Sequence, residues 1–297
     1  MNRILPRSLR LCLGLGLLVA AASPAPPAGA DTRGWSYLME KLEADGVSRK
    51  RILKVFRDPR MKRHRELEFG LHPKEPESLY RGFRSRSSIA RARQCRSRYR
   101  TAFETAARRH RVPASVLASI FHVETSCGEN KGNDVVLYRL ARLAMANEPE
   151  NVARNIRRHQ KEEPREKWPE IKARTRVRGQ YLEDTFYPEV LAGFAIGEKL
   201  GIDPLGIVGS KAGAFGMPQF LPSSYMRFAV DGNGNGRISL HEPADAAHSA
   251  ANYLAAHGWK PGITAEKQRE VLWNYNRSDA YIDTILFLRE QIEAYPN

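Results

Sequence analysis

The run Ile120-Phe121-His122-Val123-Glu124-Thr125-Ser126-Cys127-Gly128 sets an acid at the end of an apolar segment. The residues before it, Pro113-Ala114-Ser115-Val116-Leu117-Ala118-Ser119, read as helix. Proline is tolerated in a first turn, where its missing N–H would have no partner, and Gly128 supplies a stop. Leu117, Phe121 and Glu124 fall at i, i+4 and i+7, so the carboxyl continues the apolar stripe instead of the wet face. Taking a carboxyl out of water favours its neutral form, as a proton donor near neutral pH requires. A carboxylate at a helix end can also simply reach out to water, and this stretch alone leaves both readings open.

Around this helix the chain of 297 residues is long enough for one large or two modest domains. Hydrophobic content of 42% with 27% charge describes a globular protein and excludes a disordered one. Helical spacing recurs almost throughout, so the expected class is mainly α. Residues 31–80 read as a small N-terminal helical lobe, with Trp35, Leu38 and Leu42, then Ile52, Val55 and Phe56, divided at Asp45-Gly46. Residues 81–130 carry the Glu124 helix. The 11 arginines of residues 81–111 leave a narrow apolar face (Ala90, Ala92, Tyr99, Phe103, Ala107), which predicts one long solvated helix running into it. Residues 131–189 read as a helical insertion whose mixed charge makes residues 131–180 a polar excursion on the surface. Residues 190–297 complete the fold.

The first 30 residues have the form of a signal peptide. Arg3, Arg7 and Arg10 precede an apolar run from Leu11 to Ala22, too short to span a bilayer comfortably, and Ala28-Gly29-Ala30 has the small-x-small cleavage pattern. The expectation is an exported protein of the periplasm or cell envelope, soluble after cleavage at Asp31. Removing three arginines and no acids lowers the formal charge from +15 to 15 − 3 = +12. In an exported protein such charge points to an anionic envelope surface, met through the basic helices, and not to nucleic acid. Cys95 and Cys127 remain in an oxidising compartment, where a disulfide between them is expected. Two buried thiols are the alternative.

Three later stretches carry polar chemistry. Gly209-Ser210-Lys211-Ala212-Gly213-Ala214-Phe215-Gly216-Met217-Pro218-Gln219 is rich in small residues that let backbone approach a ligand, with Ser210 and Gln219 placed to face one. Asp231, Asn233, Asn235, Gly236, the Arg237 carbonyl and Glu242 stand at positions 1, 3, 5, 6, 7 and 12 of an EF-hand-type calcium loop. An Asn-Gly turn that binds nothing would have the same composition. Asp245 caps a helix stopped by Gly258, with Tyr253 inside it. Trp273-Asn274-Tyr275-Asn276-Arg277-Ser278 leads into a last helix bearing Tyr281. Aromatic rings and amides clustered at a helix entrance suit sugar recognition, and they suit an ordinary cap nearly as well.

Taken in order, Val123-Glu124-Thr125 with Gly128, Gly213-Ala214-Phe215-Gly216 with Gln219-Phe220-Leu221-Pro222-Ser223-Ser224-Tyr225, the loop of residues 231–245, Ala251-Asn252-Tyr253 with His257-Gly258-Trp259, and Tyr275-Asn276 with Ser278 and Tyr281 resemble the membrane-bound lytic murein transglycosylase B family. The match covers roughly residues 95–130 and 190–290, and more weakly 35–60. The resemblance implies an α+β lysozyme-like catalytic core with an additional helical lobe. It implies action on peptidoglycan glycan strands, cleaving the MurNAc–GlcNAc bond without water and leaving a 1,6-anhydro-MurNAc end; a monomer is the expected state. Glu124 takes the position of the family's single acid/base, with no cofactor for catalysis. Ser210, Gln219, Tyr253, Tyr275, Asn276 and Tyr281 take glycan-contacting positions. Asp231, Asn233, Asn235, the Arg237 carbonyl and, in the family's longer loop, Asp245 in place of Glu242 take those of a structural calcium site. This chain departs from the pattern in its long basic stretch at residues 131–180, in the asparagines of the calcium loop, and at Met217-Pro218. A non-catalytic peptidoglycan-binding scaffold, a calcium-dependent structural or sensor module and a water-using muramidase are the alternatives.

Overall fold

Helix α6 (Ala114–Thr125) runs through the middle of the protein, and its residues 115–122 are all buried. A computed structural model describes residues 32–71 and 76–294; the expected signal peptide lies outside the described residues. Around α6 pack α4 (Arg86–Arg98), α5 (Arg100–His110), α11 (Pro243–Ala256) and α13 (Asp279–Glu293). Leu117 and Phe121 are fully buried, as the stripe requires, and Phe103 of α5 meets Phe121 edge to face at 5.2 Å.

The arginine-rich stretch is not one long helix. A short helix α3 (Ser78–Arg81) and a 3₁₀ turn precede α4, which Ser85 caps by accepting from the Ser88 amide. The chain breaks again at Tyr99 (φ −109°, ψ 31°) before α5 begins. The reason is packing: Ala92 and Cys95 on α4 and Phe103 and Ala106 on α5 all have to reach buried positions, and the bend turns both faces inward. Ala90, expected on the apolar face, is exposed. A left-handed Arg111 (φ 57°) then ends α5, and Pro113 opens α6. Cys95 and Cys127 are joined, with Cα atoms 5.8 Å apart, fastening the end of α6 to α4.

Two helices of the N-terminal lobe, α1 (Ser36–Ala44) and α2 (Arg49–Phe56), bury Leu38, Leu42, Ile52 and Phe56 in the same core cluster as α6. The stretch 131–180 is more than a polar excursion. Its helix α7 (Val136–Ala144) sends Leu137, Leu140, Ala141 and Ala144 into the main core. After α8 (Pro149–Lys161) comes α9 (Trp168–Leu200), a 33-residue helix that passes unbroken through the boundary expected at residue 189. Burial of Tyr187, Val190, Phe194 and Ile196 against α7 and α10 (Pro222–Phe228) holds its second half. Strands β1 (Asp134–Val135) and β2 (Val208–Gly209) pair antiparallel. Gly132, at φ +77°, lies so close to this pair that a Cβ would stand 2.2 Å from the Gly209 carbonyl oxygen, and only glycine fits. Helix α12 (Ala265–Tyr275) completes the set. Among the described residues no helix is long and apolar enough to cross a membrane.

Candidate active site

Glu124 occupies the last turn of α6, half-buried where the apolar stripe meets the surface. Its Oε1 accepts a 2.8 Å hydrogen bond from the hydroxyl of Tyr281. Tyr281 is 1% exposed on α13, and its ring lies parallel to that of Tyr275, with centroids 6.4 Å apart and planes at 10°. Both hydroxyls are held well above the usual tyrosine range, first by burial and then by the negative charge of Glu124. Tyr281 therefore stays a protonated donor throughout the working pH range and fixes one oxygen of the carboxylate.

The floor of the site is the turn at residues 217–219, clamped from three sides. Thr125 Oγ1 lies 3.1 Å from the Met217 carbonyl and accepts from the Gly128 amide at 2.9 Å. The Tyr275 hydroxyl donates to the Pro218 carbonyl at 2.6 Å. Gln219 sits in left-handed backbone (φ 52°), and its Nε2 donates to the Gly216 carbonyl at 3.0 Å and the Lys131 carbonyl at 3.4 Å. A non-glycine residue in that region stores strain, which the surrounding bonds offset. Across α6, Ser126 (φ 49°), Cys127 (φ 62°) and Gly128 (φ 85°) turn the chain left-handed directly after the acid.

Glu124, Tyr281, Tyr275 and Gln219 are thus linked through one set of contacts. Tyr253 supports it from behind: it is 9% exposed, its hydroxyl donates to the Asn274 carbonyl at 2.6 Å, and its ring meets Tyr275 edge-on at 5.1 Å. Asn276 ends α12, and its backbone amide donates to the Leu272 carbonyl at 3.0 Å. Ser210 stands apart from the Glu124 contacts, its Oγ accepting from the Ala214 amide at 3.3 Å to close a turn. The sequence gives no notice of Glu189, buried on α9, whose carboxylate accepts from the Ser223 amide (2.8 Å) and hydroxyl (2.6 Å) and caps α10 behind the Gln219 turn. A capping acid 34 residues from the amide it bonds leaves no local pattern.

The loop at 231–245 is ordered by its own oxygens. Asp231 accepts from the amides of Gly234 (2.7 Å), Gly236 (2.8 Å) and Asn235 (3.2 Å), bonds that hold its carboxyl below the usual range, the Gly236 amide foremost. Asn233 and Asn235 each accept from the amide two residues on, at 3.0 and 2.8 Å. Asp245, fully buried, receives the Gly232 amide on one oxygen and the Ser239 amide on the other, both at 2.8 Å, tying the two ends of the loop together. Glu242 instead accepts from the Asn233 side-chain Nδ2 at 2.9 Å. Among the described residues no three His, Cys, Asp or Glu side chains are grouped to hold a metal. The side-chain acceptors that order this loop are oxygens of two carboxylates and two amides, a chemistry that suits a hard cation such as calcium and no soft one.

Residues 30–268 match the family model described as transglycosylase SLT domain. A 60-residue stretch is 57% identical to membrane-bound lytic murein transglycosylase B of Escherichia coli, a match that covers 20% of this chain and 17% of that protein. The fold is similar to that of the E. coli lytic transglycosylase SLT35 in complex with bulgecin A (TM-score 0.63, 20% identity, covering 88% of this chain and 93% of that one). It is also similar to soluble lytic transglycosylase SltB1 of Pseudomonas aeruginosa (TM-score 0.63, 21% identity, 89% and 98%). The mainly α, lysozyme-like architecture expected from the sequence is the one found, and the chain belongs to the transglycosylase SLT domain family.

Proposed function

We propose that this protein is a peptidoglycan lytic transglycosylase that cleaves the MurNAc–GlcNAc glycosidic bond with Glu124 as its single acid/base. The observation that carries the reading is the half-buried Glu124 carboxylate, held on one oxygen by the Tyr281 hydroxyl at 2.8 Å, at the edge of an aromatic wall. Glu124 protonates the leaving glycosidic oxygen as the C1–O bond breaks. The resulting carboxylate takes the proton of the sugar's own 6-hydroxyl while that oxygen bonds to C1, closing the 1,6-anhydro ring and returning the acid to its starting form. An internal nucleophile supplies proximity that water lacks, and no second carboxylate is required, unlike ordinary glycosidases. Half-buried Tyr275, Gln219 and Asn276 face the strand; Tyr253 and Ser210 shape the walls. A related P. aeruginosa structure, SltB3 in complex with NAG-anhNAM-pentapeptide, supports a product of this kind.

Asp231, Asn233, Asn235, the Arg237 carbonyl and Asp245 would hold one structural calcium ion, which would stiffen the loop and take no part in the reaction. An E. coli relative of this fold is described in complex with calcium. The reading includes export to the periplasm or cell envelope and retention there through the exposed arginines of α4 and α5. The test is mass spectrometry of products from purified peptidoglycan. Muropeptides lighter by one water establish transglycosylation. Hydrated reducing ends would indicate a muramidase, and binding without product a scaffold. Glu124→Gln is expected to abolish turnover while preserving binding.

A further inference from the structure

Away from Glu124, a cavity of about 760 Å³ opens between α8 and α9. Its floor is aliphatic, with Val152, Ala153 and Ile156 from α8, and Val177 and Tyr181 line its α9 side. Val177 is 71% exposed and Tyr181 50%, an unusual pair of large apolar side chains one turn apart on the surface of a helix. Along the rim runs a polar series: Asn147 Nδ2 donates to Gln180 Oε1 at 2.9 Å, and Gln180 Nε2 donates to Asp184 Oδ1 at 2.7 Å. The Arg178 guanidinium lies 4.9 Å from the Tyr181 ring centroid and steadies that ring.

We infer that this groove is a second glycan-binding site, which takes an N-acetylhexosamine stretch of the strand cleaved at Glu124; the inference rests on the substrate proposed above. A pyranose has apolar C–H faces and a rim of hydroxyls and N-acetyl groups. The groove answers with an aliphatic floor, one exposed aromatic face, and planar amides and a carboxylate already oriented by their mutual bonds. Each of those polar groups keeps unused lone pairs or protons for a ligand. The volume is that of a small-ligand site. The groove is also mechanically joined to the catalytic site. Tyr181 and Glu189 stand eight residues apart on α9, about 12 Å along the helix axis, and Glu189 caps the helix behind the Gln219 turn. One helix, α9, therefore carries both places, with Pro188 between them.

The test uses the full chain carrying Glu124→Gln, titrated calorimetrically with peptide-free glycan strands and, separately, with phosphatidylglycerol vesicles. Tyr181→Ala is expected to weaken glycan binding about fivefold or more, the loss typical of a contact that matters at an interface. Tyr181→Trp, which keeps an aromatic face, is expected to retain it. Equal glycan affinity with and without the Tyr181 ring would overturn the inference. So would a Trp variant as weak as the Ala variant, or a loss confined to vesicles, which would make the groove a lipid contact. Failure here leaves the wild-type product test untouched. Conversely, a wild type that releases no product while Tyr181→Ala still loses glycan binding would sink the proposed reaction and leave the groove standing.

Discussion

Tyr281→Phe removes one oxygen atom and leaves nearly everything else in place. The ring still fills its fully buried site and still lies parallel to Tyr275, so packing is retained. What is lost is the 2.8 Å bond from this buried hydroxyl to Oε1 of the half-buried Glu124, a hydrogen bond to an ionisable group. Such bonds contribute about 1.5–3 kcal/mol net. A tenfold rate change corresponds to about 1.4 kcal/mol, so losing the whole amount during the reaction slows turnover roughly 10- to 150-fold. The bond orients the carboxylate and does not touch the sugar, so the loss is expected in kcat with KM nearly unchanged. The assay is release of soluble muropeptides from sacculi at several substrate concentrations, quantified by chromatography, with thermal unfolding to verify the fold. Turnover within twofold of wild type would refute the positioning role. A rise in KM at constant kcat would instead make Tyr281 a substrate contact, as the family resemblance alone implies.

Replacing Cys95 and Cys127 together by serine opens a 32-residue separation, which in the chain-entropy model lowers stability by about 4 kcal/mol, measurable by urea unfolding. Catalytic loss should follow only near the unfolding transition. Calcium at millimolar concentration is expected to raise the thermal midpoint of the wild type and not that of Asp231→Asn, and an unmoved wild-type midpoint would dismiss the ion. His122, buried and bonded to Ser88 Oγ at 2.7 Å, is held near pKa 4 by burial first and the charge of Arg91 second. Its folded value lies below the unfolded 6.5, so its stabilisation is complete above pH 6.5 and is lost as pH falls toward 4. The loss amounts to about 3 kcal/mol, and His122→Gln should flatten that part of the stability–pH curve.

Much of this protein is legible because the information is local. The i, i+4, i+7 stripe of Leu117, Phe121 and Glu124 follows from helix geometry alone, and α6 buries it as expected. The ordering of residues 231–237 is similarly local, since each acceptor bonds an amide two to five residues away. Where reading failed, the deciding partner lay far along the chain. The bend at Tyr99 exists because α4 and α5 must both face α6, and its hydroxyl donates to the Cys127 carbonyl at 3.3 Å, 28 residues on. Charge composition gave 81–111 the look of one solvated rod, yet four small or apolar side chains on two faces decided the path.

The same division applies inside the site. Residue types marked Gln219 and Tyr275 as polar groups suited to a ligand, and the family resemblance added Tyr281, but neither gives the order in which these groups act on Glu124. Tyr253 lies inside a small-residue helix and Tyr275 in a polar run at a helix entrance, and neither setting tells in sequence where the hydroxyl goes. The structure gives the Tyr253 hydroxyl to the Asn274 carbonyl and the Tyr275 hydroxyl to the Pro218 carbonyl, so one supports a wall and the other pins the turn that carries Gln219. Tyr281, 157 residues from Glu124, is the partner that turns a helix-end acid into an oriented one. Desolvation, which the stripe suggested, leaves Glu124 only half-buried; orientation comes from α13 and from a turn whose every backbone carbonyl at 216–218 is already engaged. A site so fastened tolerates little movement of the carboxylate, and for that reason its activity should be more sensitive to the tyrosine hydroxyl than its stability is.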